Sequence, residues 1–140
     1  FLGVEDMPTE PLGKKRQVDS SELFEVIVRG CVVEATHKNS VAYLEKVHAM
    51  PGQGVTSMFN FGMGYGSIQG ILAAAGIPVK LVTPQEWKKY HGLIRMDKDC
   101  ARLLAQRLYP QASLARKKDI GRADAMLIGD YGVQQQRIGA

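Results

Sequence analysis

Arg116-Lys117-Lys118-Asp119-Ile120-Gly121-Arg122-Ala123-Asp124-Ala125-Met126-Leu127-Ile128 reads as a basic loop running into a helix. Apolar residues recur at Ile120, Ala123, Leu127, Ile128 and Tyr131, which is the helical period. Gly132 stands where a C-terminal cap is expected. Asp124 lies three residues before Leu127 and one turn before Ile128, so it projects onto the face that the periodicity marks as buried. A lone carboxylate there costs on the order of several kcal/mol or more, so it must be paired, neutralised or bound to a metal. The readings that stay open on this stretch are structural, a salt bridge from Asp124 to Arg122 or an N-cap role for Asp119, or else an acid kept for chemistry.

A second carboxylate occupies an equally unfavourable place. Residues 40–47, Ser-Val-Ala-Tyr-Leu-Glu-Lys-Val, form the best strand pattern in the chain. Both faces are largely apolar, as in a central strand of a parallel sheet covered by helices. Glu45 shares a face with Val41, Tyr43 and Val47, near the carboxyl end where open α/β sheets bind ligands. The alternative is that Glu45 marks the strand's wet tip.

Composition bounds what such a pair could belong to. At 140 residues the chain is expected to be one domain, residues 1–140, with a real core. The net charge of +4 is modest, so distribution matters more than the total. Basic residues cluster at Lys14-Lys15-Arg16, Lys88-Lys89 and Arg116-Lys117-Lys118, each beside an expected loop or helix start. Such clusters suit phosphate contacts, although a solvated surface explains any one of them. Cys31 and Cys100 both sit in apolar helical patterns and read as reduced core thiols. Reduced thiols imply a cytoplasm-like compartment; no run of 18 apolar residues and no signal peptide is visible, and no membrane contact is expected.

In chain order, residues 1–7 are expected as a strand closed by Pro8, followed by a loop over 9–17. Asp19 then caps a helix, with Glu22 at N3 and a Val18/Leu23 staple, fading between Gly30 and His37. A Pro/Gly loop at 50–55 leads to a long helix over 56–76. Its Gly62, Gly66 and Gly70 recur every fourth residue and cost about 1 kcal/mol each against alanine, so a close helix crossing or a dimer contact is expected along that groove. Phe59 and Phe61 read as core residues or as wedges aimed at stacked bases. Residues 77–82 are the next strand, and Thr83-Pro84-Gln85-Glu86-Trp87 opens a helix with a full N-terminal signature, Trp87 packing against Val82. Asp97 caps another helix with the stripe Cys100, Leu103, Leu104 and Leu108, ended by Pro110. The tail after Tyr131 is expected to fray. No zinc-type cluster or Walker loop is present.

Strands alternating with helices give an α/β layer fold. Within that order, Tyr43-Leu44-Glu45-Lys46-Val47, Phe61-Gly62-Met63-Gly64-Tyr65-Gly66, Val82-Thr83-Pro84-Gln85-Glu86-Trp87-Lys88-Lys89 and Lys117-Lys118-Asp119-Ile120-Gly121-Arg122-Ala123-Asp124-Ala125 resemble the RuvC-type Holliday junction resolvases, most closely the phage-borne and chloroplast-like branch. The resemblance runs from Val4 to Gly132. It implies an RNase H-like fold, a mixed sheet with a parallel core flanked by helices. It further implies a homodimer that cuts four-way DNA junctions with Mg²⁺, Mn²⁺ being the substitute. Glu45 matches the family's central-strand acid and Asp124 the acid of its last helix, with Asp119 a looser third metal ligand and Lys117 or Lys118 the basic residue near the scissile phosphate. The DNA-contacting set expected with them is Lys14, Lys15, Arg16, Phe59, Lys88, Lys89, Arg116, Lys117, Lys118 and Arg122. The family's first strand, with its first acid, has no counterpart here; Glu5 and Asp6 are poor replacements, and an N-terminal truncation is the expectation. The compartment implied is a bacterial or phage-infected cytoplasm, ranked above an organelle.

The chemistry accounts for the choice of residues. In-line attack on a phosphodiester is assisted by hard cations that stabilise the attacking and leaving oxygens. Mg²⁺ takes oxygen ligands, so carboxylates from a strand and a helix suffice with waters completing the set. A lysine offsets charge growing on the phosphate, and basic loops hold the backbone without reading sequence. Two other classes stay open: a non-catalytic nucleic-acid-binding module of the same fold, and an RNase H-like nuclease on another branched or RNA-containing substrate.

Overall fold

The computed structural model describes residues 3–32 and 40–139. These residues fall into two compact units, one drawn from residues 3–6, 43–46 and 81–139, the other from 7–32, 40–42 and 47–80. The α/β reading is found in both.

The second unit begins with a hairpin. Strand β1 (Thr9–Leu12) pairs antiparallel with β2 (Lys15–Val18), Thr9 facing Val18 and Leu12 facing Lys15. Gly13 takes a φ of 59°, a left-handed conformation that suits glycine and lets the chain reverse in two residues. Gln17 Nε2 donates to Glu10 Oε1 at 2.7 Å and Arg16 Nε to Thr9 Oγ1 at 2.7 Å, pinning the register. This corrects the expected order, a strand over 1–7 and a loop over 9–17: residues 3–8 form no strand, while Phe1 and Leu2 lie outside the described residues. An isolated apolar run has no ladder partner, whereas the hairpin supplies its own.

Helix α1 (Ser20–Val32) is capped as expected, Asp19 Oδ1 accepting from the backbone N–H of Ser21 and Glu22, each at 3.0 Å. The expected fade beyond Val32 and the side chain of Cys31 lie outside the described residues. Helix α2 (Val55–Ala74) ends in a Schellman motif. Gly76 has φ 68°, its N–H reaches Ala73 O at 3.0 Å, and Ile77 N–H reaches Leu72 O at 2.9 Å. Leu72 and Ile77 are both buried, the apolar contact that accompanies this cap. Among the described residues no close crossing is found at Gly62, Gly66 and Gly70: a Cβ built at any of the three meets nothing within 4 Å. The close approach is at Gly64, where a Cβ would stand 2.9 Å from Val18 Cγ2. Gly64 lies two residues from both Gly62 and Gly66, on the other side of the helix, so the spacing did not mark the face that meets Val18.

Strands β3 (Ala42–Glu45) and β4 (Val79–Val82) form a second two-stranded sheet. Ala42 N–H donates to Pro78 O and Lys46 N–H to Val82 O, so the partners advance together and the pair is parallel. Beyond β4, Thr83 opens helix α3 (Pro84–Tyr90) with a complete capping box and proline at the first turn. Trp87 is fully buried, as its staple role requires.

Helix α4 (Lys98–Leu108) is capped by Asp97, whose Oδ1 accepts from Asp99 N at 2.8 Å. Its buried face differs from the expected leucine stripe: Leu103 and Leu108 are 52% and 45% exposed, while Ala101, Arg102 and Ala105 are buried. Small alanines let α4 close on the next helix, α5 (Ile120–Gly139), and Arg102 is tolerated there because its guanidinium takes both Asp99 oxygens and the Leu114 carbonyl. A 3-10 turn (Lys117–Asp119) leads into α5. Gly132 does not end that helix, which continues to Gly139 instead of fraying after Tyr131. Gly132 is required for another reason: a Cβ there would stand 2.4 Å from a ring carbon of Tyr43. No described helix is long and apolar enough to cross a membrane.

Candidate functional site

Glu45 is the last residue of β3, and Asp124 lies in the second turn of α5. Both belong to the unit built on α3, α4 and α5. Burial pushes the Asp124 carboxyl up to about 6; Lys88 opposes the shift, Glu45 adds to it and Lys98 opposes it. Burial and neighbouring charges of both signs set the state of this carboxylate. Asp124 shares a cleft of about 180 Å³ with Lys88, Asp97 and Lys98. Glu45 is half-buried, and its Oε1 accepts from the indole Nε1–H of Trp87 at 2.9 Å. The Lys88 ammonium stands 5.2 Å from the centroid of the same indole.

Asp119 closes the 3-10 turn, one residue before α5. It is 2% exposed. Arg116 donates to it from Nε at 3.0 Å, from Nη2 at 2.7 Å and from its backbone N–H at 2.9 Å. Those bonds hold its carboxyl below the ordinary value. With its oxygens taken by a guanidinium it is a clasp at the start of α5, and among the described residues no three His, Cys, Asp or Glu side chains gather as a metal cluster. The salt bridge read between Asp124 and Arg122 is also replaced: Arg122 pairs with Asp6, Nε to Oδ1 at 2.6 Å and Nη2 to Oδ2 at 2.8 Å.

The expected DNA-contacting residues divide accordingly. Lys117 and Lys118 are exposed on the 3-10 turn, Lys89 is exposed on α3, and Lys14 and Lys15 are exposed at the hairpin turn. Arg116 and Arg122 are committed to Asp119 and Asp6, and Arg16 to the Thr9 hydroxyl and carbonyl. Phe59 is 66% exposed on α2, so it is not a core residue. Sequence reasoning missed Lys98 and the bond from Trp87. Lys98 did carry a signal: it is the first residue of α4, where a positive charge opposes the helix dipole and calls for another explanation. The Trp87–Glu45 bond joins residues 42 positions apart and carried none.

Comparisons with known proteins bear on the fold and the resemblance. The structure aligns with Thermus thermophilus RuvC at a TM-score of 0.54 and 17% identity, over 95% of this chain and 87% of that one. The fold is that of RuvC. The α/β, RNase H-like expectation is thereby borne out. In sequence the chain is 34% identical over 94 residues to Holliday junction resolvase MOC1, chloroplastic, of Chlamydomonas reinhardtii. The match takes in 65% of this chain and 11% of that protein, so the chain spans about a tenth of its relative's length. No family model matches. The chain therefore resembles RuvC-type resolvases in both sequence and fold. The cytoplasmic expectation, with its bacterial or phage-infected cell, is corrected by the same match: the named relative is chloroplastic.

Proposed function

We propose that this chain is the nuclease portion of a junction-resolving endonuclease, binding four-way DNA and hydrolysing its phosphodiesters as a homodimer. The observation that carries the reading is the acid pair. Asp124 is raised to about 6 by burial with Glu45 adding to it, an unfavourable arrangement that a divalent cation would relieve. The donor set fits a hard ion, since Glu45 and Asp124 both offer carboxylate oxygens. Bound there, Mg²⁺ or Mn²⁺ would supply charge to the attacking and leaving oxygens. The chain's own residues do the rest. Glu45 and Asp124 hold the ion, and the Lys88 and Lys98 ammonium groups beside Asp124 offset charge on the phosphate. Lys117 and Lys118 on the exposed turn grip the DNA backbone, as do Lys14 and Lys15 on the hairpin. The open glycine face of α2, flanked by exposed Phe59 and Met63, is the surface for a second copy.

The name of the chloroplastic relative supports the substrate class, and the acid pair supports the chemistry. A second reading, a DNA-binding module of the same fold without activity, is favoured by one observation: the described residues hold a pair of such acids and no group of three. A gel assay on a four-way junction separates the two. Mg²⁺-dependent cutting that Asp124→Asn abolishes is the expected result. Binding without cutting selects the second reading, and cutting that survives in Asp124→Asn refutes the assigned acid.

A further inference from the structure

Trp87 is the sole tryptophan of the chain and is fully buried, which by itself describes a core residue. Its indole does more than fill space, since the N–H donates to Glu45 Oε1 at 2.9 Å and the ring face lies 5.2 Å from the Lys88 ammonium. We infer that Trp87 is a positioning residue for the acid pair, its indole N–H holding the Glu45 carboxylate in the orientation that receives a divalent cation with Asp124. This rests on the reading of Glu45 and Asp124 as a cation-holding pair.

A glutamate side chain at a strand end has several rotatable bonds, and a carboxylate ordered only when the ion arrives binds it more weakly. A rigid, buried indole removes that freedom beforehand. Its charge matters as much as its rigidity. Elsewhere in the same unit, Asp119, Asp6 and Asp99 are ordered by the guanidinium groups of Arg116, Arg122 and Arg102, which neutralise what they order. The indole has one donor and no charge, so its bond orients the Glu45 carboxylate without itself neutralising it. Lys88, against the same ring, is held by the same rigid group.

Because Trp87 is the sole tryptophan, growth on benzothienylalanine replaces it alone with an isostere carrying sulfur in place of N–H. The full chain so made should melt within a few degrees of the native one, yet bind Mn²⁺, counted by electron paramagnetic resonance of the free ion, about tenfold or more weakly. The Trp87→Phe chain should lose affinity in the same direction, which covers failure of the isostere to fold. In the unsubstituted protein, the single indole N–H resonance should shift on adding Mg²⁺ and stay still in Glu45→Gln. Unchanged Mn²⁺ affinity in the isostere, with binding lost in Glu45→Gln and Asp124→Asn, overturns the positioning role alone. Unchanged affinity in those two carboxylate variants overturns the pair itself, and this inference with it.

Discussion

Asp119 and Asp124 stand five residues apart at the start of one helix, and their surroundings treat the same chemical group in opposite ways. Asp119 is the more buried, at 2% exposure, yet the Arg116 bonds hold its carboxyl below the ordinary value. Asp124 is half-buried and pushed up to about 6, with lysines and Glu45 around it. Burial alone therefore does not decide ionisation; the partner does. A planar guanidinium meets a carboxylate with parallel N–H bonds and cancels its charge on the spot. Lys88 and Lys98 act on Asp124 through their charge and only partly offset the effect of its burial. Asp130, further along α5, is a third case, ordered by the Tyr109 hydroxyl at 2.7 Å.

The contrast yields its largest effect in the paired variants Asp124→Asn and Asp119→Asn. The first should lower junction cleavage about a thousandfold while raising the melting temperature of the metal-free protein by a few degrees, because a strained charge is gone. The second should keep cleavage within a few-fold and melt lower. Comparable losses of activity in both would erase the distinction. Next in size is Arg116→Ala, which strands a buried carboxylate: thermal unfolding should fall by about 5 °C or more with Mn²⁺ affinity unchanged.

Titration separates the two acids by sign. The folded value of Asp124 is raised, so its contribution to stability is present at low pH and is lost as pH rises through about 6. Asp119 is lowered, so its contribution is present at neutral pH and is lost on acidification. Mn²⁺ affinity should accordingly fall about tenfold per pH unit below pH 6, as a proton competes for Asp124. An affinity flat from pH 7 to pH 5 would show that Asp124 is no ligand. The smallest effect sharpens the role of Lys98, which opposes the Asp124 shift: Lys98→Met should move the midpoint of that binding curve upward by a fraction of a pH unit.

What the sequence by itself determined is local. The caps at Asp19, Thr83 and Asp97 were legible because each is completed within three residues of the capping side chain. Glu45 and Asp124 stood out because a charge in an apolar pattern is a misfit visible without any neighbour. The tertiary structure alone decided which groups meet. It placed alanines and Arg102 where the leucine stripe of α4 was expected, and set Gly64 and Gly132, not Gly62, Gly66 and Gly70, against Val18 and Tyr43. It also sent Arg122 to Asp6, Arg116 to Asp119 and the indole of Trp87 to Glu45. Periodicity offers a candidate face, and on α4 and α2 packing chose another: Leu103 is exposed while Arg102 is buried, and the close approach falls at Gly64. What that face meets depends on chain segments far away in sequence, and neither the close approach of a ring nor the partner of a buried acid can be read from spacing.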